Sequence, residues 1–201
     1  MNSTEEQLES NTESKLDINQ NTDLESKSET IQNTNLELAT ADTPEFTLNN
    51  QILNGKVVYV YDGDTVHIVF KIDNKLVKFN CRLLGIDTPE IAPKNIVDKE
   101  LKNQEVTAAY KSRDYLISRV SNVSITKNKM NKNDVKKLLA QSTKIMCVKC
   151  YDFDKYGRLL VELFEDSNLI KSINQDMVDN KHALGYDGGT KSTFTQENFN
   201  L

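Results

Sequence analysis

Hydrophobic positions fall into a regular pattern from Gly55 onward. Val57-Val58-Tyr59-Val60-Tyr61 and Val66-His67-Ile68-Val69-Phe70 are β-branched and aromatic runs separated by Asp62-Gly63, which predicts two strands joined by a tight turn. Asp73-Asn74-Lys75 predicts a second turn into a third strand, Val77 to Ile86, where apolar and polar residues alternate roughly. Thr88-Pro89 forces extended backbone and closes that segment. Between residues 98 and 120, Leu101, Val106, Ala109, Tyr110, Leu116, Ile117 and Val120 recur near helical spacing among charged residues, the pattern of an amphipathic helix. Ile145 to Tyr151 and Arg158 to Phe164 form a further hairpin around Asp152 to Gly157, and Leu169 to Lys181 fits a short helix. The chain then runs Gly185-Tyr186-Asp187-Gly188-Gly189-Thr190 without an obvious long final helix.

Five strands with flanking helices describe an α+β chain, and two of those strands following a helix match a small Greek-key barrel of the OB type. The stretch from Asn122 to Thr143 is rich in Lys and Asn and reads as a surface insertion with a short helix around Asp134 to Ala140. Its Lys127, Lys129, Lys132, Lys136 and Lys137 are either phosphate contacts or the charged surface of a solvated loop.

Composition divides the chain in two. Residues 1–46 contain no Gly, Tyr or Cys and carry 11 Asp+Glu against 2 Lys, a net charge of −9. Such a segment cannot bury enough apolar surface to order itself, so a disordered acidic tail is expected there, with the folded domain at 47–201. That domain carries 23 Lys+Arg against 19 Asp+Glu, a net +4 hidden by the overall −5. A mildly basic body suits a polyanionic partner. The N-terminus has neither a basic n-region nor a long apolar run, so a soluble, intracellular protein without membrane contact is expected. Three cysteines, Cys81, Cys147 and Cys150, do not make a disulfide framework. Cys147-x-x-Cys150 lacks a second ligand pair for zinc and reads as ordinary strand cysteines.

Three charged motifs carry the candidate chemistry: Asp62-Gly63-Asp64-Thr65, Arg82 to Glu90, and Asp154-Lys155-Tyr156-Gly157-Arg158. Asp64 and Asp87 fall at the margins of adjacent strands, where a barrel can bring their carboxylates together. Two carboxylates without His or Cys favour a hard cation, calcium or magnesium, and calcium the more so if the Thr88 carbonyl completes its shell. Glu90, stiffened by Pro89, is a carboxylate left over to take a proton from water. Arg82 and Arg158 offer planar paired donors that match phosphate oxygens and stay charged as negative charge builds. Each motif alone has a plainer reading: turn chemistry for Asp62-Gly63, a cap for Asp64, an exposed loop glutamate for Glu90, surface ion pairs for the arginines. Asp152-x-Asp154 imitates the start of a calcium-binding loop, but Tyr156 and Leu163 stand where that loop needs ligands.

Together these motifs resemble the thermonuclease family, the staphylococcal-nuclease-like domains, over about residues 55 to 186. The resemblance implies a calcium-dependent endonuclease on an OB fold that cuts DNA and RNA with little sequence preference and leaves 3′-phosphate ends. By the same match Asp64, Asp87 and the Thr88 carbonyl would hold calcium, with Asp62 behind them. Glu90 would be the general base, Arg82 and Arg158 the phosphate grip, and Lys155 and Tyr156 neighbours of a terminal phosphate. Tyr186 is either a platform for base stacking or a packing residue. A monomer without a small-molecule cofactor is expected. A catalytically inactive nucleic-acid-binding module is the alternative; the combination of Arg82, Asp87, Glu90 and Arg158 argues for the enzyme.

Overall fold

The computed structural model describes residues 36–94, 96–125 and 127–189, with Phe194 and Phe199. The chain divides into two units, Met1–Phe46 and Thr47–Leu201. Most of the expected disordered tail lies outside the described residues. Residues 40–43 of the first unit form a turn in which the Thr43 N–H donates to the Thr40 carbonyl and the Thr40 N–H to Thr43 Oγ1, each at 3.0 Å.

The second unit contains strands β1 (Ile52–Val60), β2 (Thr65–Ile72), β3 (Lys75–Leu83), β4 (Ile86–Asp87), β5 (Met146–Phe153), β6 (Leu159–Phe164) and β7 (Leu184–Gly185). Its helices are α1 (Lys99–Val120), α2 (Lys132–Gln141) and α3 (Ile173–Asp179). Five strands close a barrel in the order β1-β2-β3-β6-β5, with β3 and β6 parallel and the other barrel pairs antiparallel. This is the mixed, OB-type barrel that the strand pattern predicts.

Period-two alternation builds its core. Val66, Ile68 and Phe70 of β2, Cys81 and Leu83 of β3, Val148 and Cys150 of β5, and Leu159, Val161 and Leu163 of β6 are all buried. The three cysteines are free and buried, and burial pushes the Cys150 thiol up to about 11, so it packs as a small apolar side chain. At the β2–β3 turn, Asp73 and Asn74 both take positive φ, 47° and 64°, the requirement of a tight hairpin turn.

Several boundaries differ from the sequence reading. β1 starts at Ile52 rather than Val57, because Ile52 to Gly55 pair with Lys149 to Met146 of β5, a partner remote in sequence. The third strand stops at Leu83. Leu84-Gly85 turns the chain, and Ile86 and Asp87 leave the barrel to pair with Gly185 and Leu184. The insertion also differs from a solvated loop. Asn131 and Asp134 form a capping box at the start of α2, Val135 and Leu139 are fully buried, and the guanidinium of Arg113 donates to the Met130 carbonyl at 2.9 Å. These contacts tie the insertion to the barrel and to α1.

α3 is capped by Ser172, whose side chain accepts from the Gln175 N–H. Buried Asn174 then joins three parts of the fold: its amide donates to the carbonyls of Leu84 at 2.9 Å and Val161 at 3.0 Å, and its oxygen accepts from the Leu163 N–H at 3.2 Å. The question of a long final helix falls largely on residues outside those described.

Candidate active site

The loop from Tyr61 to Asp64 joins β1 to β2 and is shaped by its own side chains. Asp62 Oδ1 accepts from the N–H groups of Asp64 at 3.2 Å and Thr65 at 2.8 Å, while the Tyr61 N–H donates to the Thr65 carbonyl at 2.8 Å. Gly63 is required by close approach: a Cβ there would stand 1.9 Å from Ser112 Oγ and 2.7 Å from Thr88 Cγ2. Ser112 is a buried residue of α1 whose hydroxyl donates to the His182 carbonyl at 2.6 Å. Helix α1 therefore presses directly on the loop that carries Asp62 and Asp64.

Asp64 and Asp87 meet on one guanidinium. Arg82 pairs with Asp64 through one terminal nitrogen and with Asp87 through the other at 3.0 Å, and the second nitrogen also donates to the Ile86 carbonyl at 3.1 Å. Asp64 accepts further from Thr65 Oγ1 at 2.9 Å and from the Thr88 N–H at 3.2 Å. Burial works against the charge on Arg82, but Asp64 and Asp87 outweigh it and hold its pKa above the ordinary value. Asp62 lacks such a cation. Burial, and then the neighbouring Asp64 carboxylate, push its carboxyl up to about 8.

Glu90 is exposed at the start of the loop leading to α1, and its backbone N–H donates to Glu105 of α1 at 3.0 Å. The third motif closes on itself across the β5–β6 turn. Asp154 Oδ1 accepts from the N–H groups of Tyr156 and Arg158, both at 2.9 Å, and Gly157 turns the chain at φ +76°. Asp154 Oδ2 then takes the Arg158 side chain, with Nε at 2.8 Å and one terminal nitrogen at 2.7 Å. Lys155 Nζ and the Arg158 guanidinium lie 5.2 Å and 5.5 Å from the Tyr156 ring centroid.

A cavity of about 590 Å³ gathers these groups. Asp62, Asp64, Arg82, Glu90, Lys155, Tyr156, Arg158 and Tyr186 line it, joined by Tyr61, Thr65, His67 and Asn80. Asp87 and Thr88 are buried behind this wall and reach it through Arg82 and Asp64. Tyr186 is fixed by its N–H donating to the Gly85 carbonyl at 2.9 Å and its hydroxyl to the Gly189 carbonyl at 3.1 Å.

Sequence reasoning missed the residues that hold the others in place. Asp154 lay inside a quoted motif, but its grip on Arg158 depends on the turn bringing positions four apart together. Gly63, Ser112 and Glu105 act through the packing of α1, which no local pattern announces. His67 and Asn80 were legible only as strand residues until register set them opposite each other.

The donor set near Asp64 is all oxygen, which suits a hard cation. Thr88 Oγ1 is buried without a hydrogen-bond partner among the described residues, and the Asp64 carboxylate accepts from the N–H of the same residue. No group of three or more His, Cys, Asp or Glu among the described residues is arranged to hold a metal ion. Among the described residues no helix is long and apolar enough to cross a membrane. Compared with protein-family models and with curated proteins, the chain matches none.

Proposed function

We propose that this chain is a calcium-dependent nuclease of the thermonuclease type, hydrolysing phosphodiester bonds of DNA and RNA with low sequence specificity. The observation that carries the reading is Arg82 bridging Asp64 and Asp87 at a cavity that Glu90, Lys155 and Arg158 also line. Calcium rather than magnesium is favoured because the set that the resemblance implies, Asp64, Asp87 and the Thr88 carbonyl, would be partly backbone, which a larger and more adaptable shell accepts. Bound there, the cation would neutralise charge on the scissile phosphate.

The chain's own groups supply the rest. Arg82 and Arg158 would hold the phosphate oxygens, Arg82 once a cation takes over the Asp64 and Asp87 carboxylates that its terminal nitrogens bond; Asp154 occupies Nε and one terminal nitrogen of Arg158 and leaves the other for substrate. Glu90 takes a proton from water as the water oxygen bonds to phosphorus. The bond from phosphorus to the 5′ oxygen breaks, that oxygen takes a proton from solvent while Glu90 gives up the one it accepted, and a 3′-phosphate remains. The guanidinium groups keep their charge throughout and stabilise the five-coordinate transition state.

Incubating the purified protein with single-stranded DNA, duplex DNA and RNA, in calcium, magnesium or chelator, tests this directly. Cleavage that requires calcium is the expected result. Binding without cleavage in every condition would favour a catalytically inactive nucleic-acid-binding module, the reading supported by the lack, among the described residues, of a cluster of three or more His, Cys, Asp or Glu placed to hold a metal.

A further inference from the structure

The outer face of β3 carries polar groups in a line that starts inside the cavity and runs out of it. Cys81 and Leu83 point into the barrel, whereas Lys78 and Asn80 are exposed and Arg82 is half-buried. Register sets Thr65 opposite Arg82, His67 opposite Asn80 and Val69 opposite Lys78. Same-face neighbours on a strand are about 6.8 Å apart, so Arg82 to Lys78 spans about 14 Å. Arg82, Asn80 and His67 line the cavity, and Lys78 lies one step beyond it.

Helix α2 packs on β1 and approaches this face through Tyr59, which neighbours His67. Lys132 and Lys136, one helical turn apart, each place Nζ 5.9 Å from the Tyr59 ring centroid. That ring meets the imidazole of His67 edge-on at 5.1 Å. Burial, and then Lys78, Lys132 and Lys136, hold the His67 pKa below its ordinary value, in line with the approach of Lys132 and Lys136 to the Tyr59 ring. The three lysines are exposed, and none forms an ion pair with a described residue. Docking of α2 uses Val135 and Leu139, so burial gives no reason for this concentration of positive charge.

We propose that Lys78, Lys132 and Lys136, with Asn80 and His67, form a track for the phosphodiester backbone of a single nucleic-acid strand leaving the cavity. One line of donors follows one backbone, which fits a single strand rather than a duplex, and a basic groove tracking phosphates binds with little regard to sequence. The inference rests on the nucleic-acid reading of the cavity and gives the insertion a task within it: affinity grows with strand length beyond the nucleotides held at Arg82 and Arg158.

Fluorescence anisotropy on the full chain carrying Glu90→Gln, in calcium, tests this with a labelled dinucleotide and an oligothymidylate of about 12 nucleotides, a length within the range one OB barrel covers. The longer strand should bind more tightly than the dinucleotide. Lys132→Ala with Lys136→Ala should weaken the longer strand on the order of tenfold at about 0.1 M salt and make the slope of log K against log salt shallower by about 1.4. The dinucleotide should be unaffected, and neither probe should respond to Lys137→Ala, which removes one charge from the same helix away from Tyr59, whereas Lys136→Ala alone, of equal charge change, should weaken the longer strand. Equal affinity for the two probes, or a longer strand indifferent to the double substitution, overturns the track while leaving the cavity reading intact. Equal weakening of both probes overturns it as well, since the lysines would then be acting through the fold. Preferential binding of a duplex through the same lysines overturns the single-strand assignment, and failure of both probes to bind overturns the cavity reading and the track together.

Discussion

Gly63 shows how little room the site allows. Its Cα lies against Ser112 and Thr88, so Gly63→Ala must displace either α1 or the loop carrying Asp62 and Asp64. The expected cost is about 1–3 kcal/mol of stability, read by urea denaturation. Asp154 tests a different kind of dependence: Asp154→Ala leaves every proposed catalytic group present but releases Arg158 from its only described ion pair. Turnover should fall about 10- to 100-fold through misplacement of that guanidinium, with a modest drop in melting temperature from the two turn hydrogen bonds lost at Asp154 Oδ1. At this scale the sequence was most informative where chemistry is local. Asp62, Asp64, Arg82, Glu90, Lys155 and Arg158 could be nominated from short motifs, and all line one cavity. Asp154, Glu105 and Ser112 could not be given roles, because each acts through a contact made only after a turn closes or a helix docks.

Among the elements, α3 and the segment after it do more than cover the barrel. Asn174→Leu would strand the Leu84 carbonyl and the Leu163 N–H that join the β3–β4 turn to β6, and leave the Val161 carbonyl with only the Leu84 N–H, at an expected cost of about 2 kcal/mol. His182, just beyond α3, stacks on Tyr115 of α1 with centroids 4.0 Å apart, and its buried Nδ1 has no hydrogen-bond partner among the described residues. Burial, and then Lys111, lower its pKa from the ordinary 6.5, against an opposing influence of Asp176. The unfolded chain therefore binds this proton more readily than the folded one. The associated stability is complete above pH about 6.5 and is lost as pH falls below that value and through the lower folded-state pKa. His182→Phe keeps the stacked ring and removes the proton site, so its denaturation midpoint should fall less between neutral and mildly acidic pH than that of the parent. Strand alternation and helical spacing made β2, β3, β6 and α1 legible. Two-residue strands such as β4 and β7 have no period to read, and α2 was visible as a helix while its docking through Val135 and Leu139 was not.

Across the whole molecule, charge is distributed rather than balanced: the net −9 of residues 1–46 conceals a domain of +4. Within that domain, the barrel margin gathers buried carboxylates around one arginine, while lysines collect along the β3 edge and α2. A barrel of this topology was expected from five strands and a helix, but the β3–β6 parallel pair that closes it is a long-range contact that alternation cannot specify. If Asp64 and Asp87 hold calcium, the ion should stabilise the folded chain without any substrate. At about 100 times its dissociation constant the gain should be about 2.7 kcal/mol, visible as a raised melting temperature that Asp64→Ala abolishes. No shift in the parent protein would count against the cation site whatever the nuclease assays show.

The central claim is that this cavity cuts a phosphodiester by using Glu90 as the base between two arginines. Single-turnover cleavage of single-stranded DNA in calcium, measured for the parent chain and Glu90→Gln beside their equilibrium affinities for the same strand, tests it most directly. The account predicts a fall in the cleavage rate of roughly 100- to 10,000-fold with affinity held nearly constant. Cleavage at the parental rate by Glu90→Gln would contradict the assignment of the base, and a parent chain that binds the strand but never cuts it would contradict the nuclease itself.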